Sequence, residues 1–168
     1  MARIYSHPQG AGLIGADADG LLRATIVDAL TTAGSRIEVV VPRADLDHLF
    51  GPALRNAQLQ NLHPALHPTK TLEDSIEYLE GREGSTTAEH TSFLWIASPG
   101  NDADVVHQAL QHHPDDNLIA LFRGAWPYGP THLIDKNRSG PLYGSQIELL
   151  SPGRAIAKLV ASTSWPCH

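Results

Sequence analysis

The sequence predicts an α/β fold of three layers: a mostly parallel sheet with helices on both faces, P-loop-like or Rossmann-like in plan, with an antiparallel edge pair near the C-terminus. Three observations predict it. Six or seven short apolar runs alternate with stretches whose apolar residues recur at helical spacing, the rhythm of βαβ units. Several of those runs, residues 37–41 among them, are continuous rather than alternating, as strands covered on both faces are. The chain has 168 residues, a length suited to one domain of about 100–200 residues, so a single domain is expected over 1–168 with residues 163–168 as a disordered tail.

Taken in order, residues 11–16 read as a first strand. Leu22, Ile26, Ala29, Leu30 and Ala33 then recur at helical spacing up to Gly34, where a helix C-terminus favours glycine. The β-branched run 37–41 is a second strand ended by Pro42, and a short helix is expected over 45–50. Residues 59–66 suggest a third strand that Pro64 confines to an edge. Thr71 and Asp74 have capping-box spacing ahead of Leu72, Ile76 and Leu79, and residues 81–91 are small and polar, as a surface loop is. A strand over 92–98 precedes a helix capped by Asn101 or Asp102, with Val105, Val106, Ala109 and Leu110 inward and Pro114 as its stop. Residues 118–122 form the next buried strand. Residues 131–135 and 145–150 flank a turn-rich segment, 136–144, and are expected to pair antiparallel. Ser151 then caps a helix with Pro152 at its first position and Ile156, Leu159 and Val160 inward.

Composition narrows the function classes. Twelve Lys and Arg against 18 Asp and Glu leave a net charge of −6, so no general cationic field exists for a phosphate backbone, and direct nucleic-acid binding is not expected. No apolar run approaches the ~20 residues of a spanning helix, which predicts no membrane contact and a cytoplasmic chain. The single cysteine, Cys167, rules out an internal disulfide and fits a reducing compartment. Ten histidines include His63 and His67, four apart, but Pro64 and Pro68 break the helix that would align them, and no metal is assigned. The serines lack nucleophile-elbow context, so no catalytic residue is assigned and no cofactor is expected.

The segment Gly15-Ala-Asp-Ala-Asp-Gly20-Leu21-Leu22 carries the G-x-x-x-x-G spacing of a phosphate loop between a strand and a helix. A working loop continues with Lys, which neutralises β/γ-phosphate charge, and Ser or Thr, which binds Mg²⁺. Here leucines follow, and none of the three lysines (Lys70, Lys136, Lys158) lies nearby. Asp17 and Asp19 place negative charge where phosphate oxygens would sit. Gly15, Asp17, Asp19 and Gly20 are therefore candidates for a remnant loop, the alternative being an ordinary strand-to-helix turn capped by Asp19. The strand over 92–98 also ends without the carboxylate that P-loop ATPases keep there, the first one after it being Asp102. Strand ends are where open α/β sheets place ligand contacts, which makes Arg43, Ser98, Arg123 and Trp126 candidates. Trp126 and Tyr128 have the alternative of simply covering the end of the sheet.

Four segments together, GLIGADADGLLRATIVDAL, EVVVPRADLDHLF, LWIASPGNDADVVHQAL and LIALFRGAWPYGPTHLID, resemble the central α/β domain of actinobacterial regulators that combine membrane helices, a LysM module and a C-terminal bacterial transcriptional activator domain (BTAD). That domain is distantly similar to FtsK-like translocase ATPases with the nucleotide-binding residues lost. Gly15 and Gly20 match its loop glycines, and Leu21 and Leu22 stand where the translocases have Lys and Ser or Thr. No LysM module, membrane helix or activator domain is recognised within these 168 residues, so the sequence is expected to be either a fragment or a free-standing relative, and the transcriptional setting is implied by the domain's usual neighbours. The resemblance implies a non-catalytic regulatory or protein-interaction module whose partners are other proteins or adjacent domains. The alternative is a sensor that binds a nucleotide or small molecule at the C-terminal edge of the sheet.

Overall fold

The structure is a computed structural model that describes residues 7–32, 34, 36–56, 63–82, 91–113, 117–135 and 148–163. Six strands, β1 (Ala11–Ile14), β2 (Ile37–Pro42), β3 (Leu66–Thr69), β4 (Ser92–Ala97), β5 (Leu118–Arg123) and β6 (Thr131–Leu133), form one sheet in the order β3-β2-β4-β5-β1-β6. Every pairing is parallel. Among the described residues six α-helices pack on it: α1 (Ala18–Thr31), α2 (Arg43–Phe50), α3 (Pro52–Asn56), α4 (Leu72–Arg82), α5 (Ala103–Gln111) and α6 (Pro152–Thr163). The three-layer α/β fold is as the sequence predicts.

Alternation along the strands divides the core in two. Val39, Val41, Leu94, Ile96, Ile119 and Leu121 face α1, α2, α3 and α6, while Val40, Trp95, Ala97, Ala120 and Phe122 face α4 and α5. Continuous apolar strands follow directly, because both faces are covered and each fully buried side chain stabilises by about 1.5–3 kcal/mol. Connections that step toward β3 (α1, α2, α3) lie on the first face and those that step toward β6 (α4, α5) on the second. A single crossover hand, the right-handed one in nearly all proteins, requires that division.

Helix starts are chemically specified. Thr71 Oγ1 accepts from the Asp74 amide at 3.1 Å at the head of α4, and Ser151 Oγ accepts from the Arg154 amide at 3.4 Å ahead of Pro152. Asp102 is the residue before α5, as expected, although its side chain makes no capping bond, and a short 3₁₀ turn, Gly100–Asp102, leads in.

Other expectations need correction. The third strand lies at Leu66–Thr69; of the expected 59–66, residues 63–65 are not strand and 59–62 fall outside the described residues. It is an edge strand, but Pro68 is the proline within it and Pro64 belongs to the turn before. β6 joins β1 in parallel, and residues 148–150 are not a strand, so no antiparallel edge pair exists among the described residues. Val105 and Val160 point outward, 50% and 47% exposed; Val106 and Leu110 in α5, and Ala155 and Leu159 in α6, carry the packing instead. The expectations for Ala33, the body of the 81–91 loop, Pro114, the 136–144 turns and the tail beyond Thr163 fall outside the described residues.

His63, just before β3, accepts the Ala65 amide on Nδ1 at 3.1 Å, and burial lowers its pKa from 6.5. The unfolded chain therefore binds this proton more readily than the folded one. His63 costs no stability above pH 6.5 and lowers it progressively as pH falls through the unfolded value toward the folded pKa. Urea midpoints measured from pH 7.5 to pH 5 should fall less steeply in His63→Gln than in the wild type, and parallel slopes would refute the assignment.

Candidate functional site

All six strands run the same way, so their C-terminal ends share one edge of the sheet. β2 passes straight into α2 at Pro42, whose φ of −60° and ψ of 143° end the strand and begin the helix without a loop. α2 leaves on the first face and the connection after β4 on the second, so β2 and β4 flank the point where chain direction reverses, the place where open α/β sheets form a ligand crevice.

A continuous polar chain spans this edge. Ser98, after β4, donates from Oγ to Asp45 Oδ1 in α2. Arg123, the last residue of β5, donates from Nη1 to Ser98 Oγ at 3.3 Å and from Nε to Asp19 Oδ1 at 3.2 Å. Asp19, in the first turn of α1, is bonded through Oδ2 to His48 Nε2 of α2 at 2.8 Å. Asp45 is only 8% exposed, whereas the side chains of Asp19, Arg123 and His48 are 34%, 35% and 43% exposed. The outer pairs are thus worth about 1 kcal/mol or less each in solvent. Ser98 spends its one hydrogen on a carboxylate and one of its two lone pairs on a guanidinium.

The β1–α1 turn is closed by the chain's own groups. The Asp17 amide donates to Ile134 O at 3.2 Å, and the Ala18 amide donates to Gly15 O at 3.3 Å. Gly15 has φ +106°, and a Cβ there would lie 2.6 Å from Ile134 O. Gly20 is already in the helix, buried, with its carbonyl accepting the Leu150 amide at 3.2 Å, and a Cβ there would lie 3.3 Å from Leu149 Cβ. Leu21 and Leu22 are buried at 1% and 0% exposure. The residue before α1 is Asp17, without a side-chain cap; Asp19 is not the cap but sits within the first turn, where a carboxylate suits the helix dipole.

One turn along α1, Arg23 donates from Nη1 to Leu49 O at 2.7 Å and from Nε to Leu150 O at 2.6 Å. Burial lowers its pKa, and the charge of Asp19 offsets part of that shift.

Of the strand-end residues named from sequence, the structure brings Asp19, Ser98 and Arg123 together. Arg43 is exposed at the start of α2 and takes no part in the chain of bonds. Trp126 is 2% exposed, packs against Phe122 at 4.3 Å and donates its indole N–H to Gln9 O at 2.7 Å, so it covers the second face of the sheet. Sequence reasoning does not single out Asp45 or His48, which complete the chain of bonds. Asp45 puts a carboxylate beside the end of β4 from a neighbouring helix, where the strand's own sequence offers none before Asp102. Among the described residues no group of three or more His, Cys, Asp or Glu is arranged to hold a metal ion, and no helix is long and apolar enough to cross a membrane. No protein-family model, curated protein or solved structure matches this chain.

Proposed function

We propose that this chain is a non-catalytic, P-loop-like α/β domain that serves as a regulatory or protein-interaction module in a transcription regulator. The observation that carries the reading is the β1–α1 turn. Its Asp17 and Ala18 amides are bonded to the chain's own carbonyls, and leucines are buried where a lysine and a hydroxyl would have to meet a nucleotide. The Asp19 carboxylate, held by Arg123 and His48, occupies the same helix start with the chain's own anion. The transcriptional setting rests on the resemblance of the four quoted segments, and the partners it implies are protein surfaces or adjacent domains. Magnesium-dependent ATP hydrolysis and a nucleotide titration test the reading. No turnover above buffer and no saturable binding are expected; turnover that a folded Gly20→Ala variant loses would overturn it.

A second reading, a nucleotide or small-molecule sensor, is favoured by one observation. The sheet edge where β2 and β4 diverge carries a buried carboxylate, a hydroxyl and a guanidinium (Asp45, Ser98 and Arg123). A ligand at 100 times its dissociation constant adds about 2.7 kcal/mol of stability. A melting-temperature screen across nucleotides decides: a saturable rise lost in Arg123→Gln supports the sensor, and a flat panel removes its nucleotide form.

A further inference from the structure

Asp45 is the only buried charged residue among the described residues, and its bonding is incomplete. One carboxylate oxygen, Oδ1, accepts from Ser98 Oγ; the other, Oδ2, has no donor among the described residues and is not sealed from solvent. A carboxylate has lone pairs for about four hydrogen bonds, and one that is 8% exposed has little water to make up the difference. Keeping an ionised group in this state is costly, and a cation is the partner that offsets most of that cost.

Arg123 is short of an acceptor in the same place. Its Nε and Nη1 are engaged by Asp19 and Ser98, its Nη2 has no acceptor among the described residues, and the side chain is 35% exposed. Asp45 Oδ1 and Arg123 Nη1 both bond to Ser98 Oγ, so the carboxylate and the guanidinium are bridged by a single hydroxyl. The backbone leaves room beside them: a Cβ on Gly100, two residues past Ser98, or on Gly124, directly after Arg123, would meet nothing within 4 Å.

We infer, on the footing of the sensor reading given above, that this edge binds a compact zwitterion of the α-amino acid class, whose ammonium donates to Asp45 Oδ2 and whose carboxylate accepts from Arg123 Nη2. A ligand whose donor and acceptor lie far apart does not reach both groups, and charge decides between compact ligands. Asp45 and Asp19 set two carboxylates against one guanidinium in the bonded chain, so a phosphate meets net negative charge. A zwitterion adds no net charge and gives each unmet group an ionised partner, the strongest kind of hydrogen bond. A neutral diol donates to Asp45 but leaves its charge uncompensated.

Isothermal titration calorimetry of the wild-type chain with the common free α-amino acids tests it, each one that binds being compared with the amine that lacks its carboxylate and the hydroxy acid that lacks its ammonium. At least one amino acid should bind saturably, and both of its analogues should bind about tenfold more weakly, the size of a hydrogen bond to a charged group. Asp45→Asn and Arg123→Gln should each weaken the amino acid by a similar factor. Saturable binding of adenosine or a nucleotide with no amino acid bound would overturn the zwitterion and leave the sensor standing, whereas no saturable binding by any of these ligands overturns both. An amino acid that binds equally well to wild type and to both folded variants sits elsewhere and refutes the assignment. If a variant does not fold, the analogues decide on the wild type alone: an amine or a hydroxy acid as tight as its amino acid refutes the pairing.

Discussion

Truncating Trp95 to alanine is expected to remove about 3–5 kcal/mol of folding stability and to lower the melting temperature by roughly 10 °C. The residue lies in the middle of β4 at 0% exposure, meets Phe122 edge to face at 5.6 Å and donates its indole N–H to Ser75 Oγ at 3.1 Å. Ser75 passes its own hydrogen to Leu72 O at 2.6 Å, so the pair ties the sheet to the first turn of α4. Trp95→Ala empties the centre of the second core and breaks that tie at once. Trp95→Phe keeps most of the ring and leaves Ser75 bonded to Leu72, so it should cost about 1–2 kcal/mol, the loss of one buried hydrogen bond with modest repacking. Thermal or urea denaturation of the two variants checks both numbers. Equal losses would mean that the hydrogen bond, not the packed volume, holds this core.

The second large effect is expected at Gly15. Its φ of +106° is a region that side chains rarely adopt, and a Cβ there would meet Ile134 O at 2.6 Å, the carbonyl that already accepts the Asp17 amide. Gly15→Ala should therefore cost roughly 2–5 kcal/mol, from backbone strain together with a clash that neither backbone segment can easily relieve. Gly124 is the internal control. Its φ is +108°, but a Cβ there would enter open space, so Gly124→Ala should show the strain alone, about 1–3 kcal/mol. Comparing the two denaturation curves separates conformation from crowding. A Gly15→Ala no less stable than Gly124→Ala would mean that β6 does not seal the turn as described.

Much of the fold was legible because local chemistry specified it. The uninterrupted runs in β2, β4 and β5 announce strands buried on both faces, and Thr71 and Ser151 mark helix starts with side chains that bond the expected amides. Strand order was not legible, since nothing local to β1 says that it will lie between β5 and β6. The turn-rich segment 136–144 suggests a hairpin that would pair 131–135 antiparallel with 145–150, whereas β6 pairs parallel with β1, the chain after β5 reaching it by way of Trp126 and Tyr128, and 148–150 is not a strand. At the sheet edge, Ser98 and Arg123 could be named because strand ends are identifiable. Asp45 and His48 sit on α2, where charged residues next to a helix start read as a solvated face. The usable signal was position: Asp45 follows the end of β2 by three residues, with no loop between, and so cannot lie far from the neighbouring strand's end.

The place of β1 in the sheet also bears on how the chain is made. Ala11 pairs with Leu121, about 110 residues later, and its other neighbour, β6, comes later still. A ribosome adding about 5–20 residues per second leaves this first strand without either partner for roughly 5–20 s, while β2, β3 and β4 can already assemble beside one another. Nascent β1 and the apolar side of α1 must stay clear of wrong pairings through that interval, and the short length of β1, four residues, limits how well it can template them.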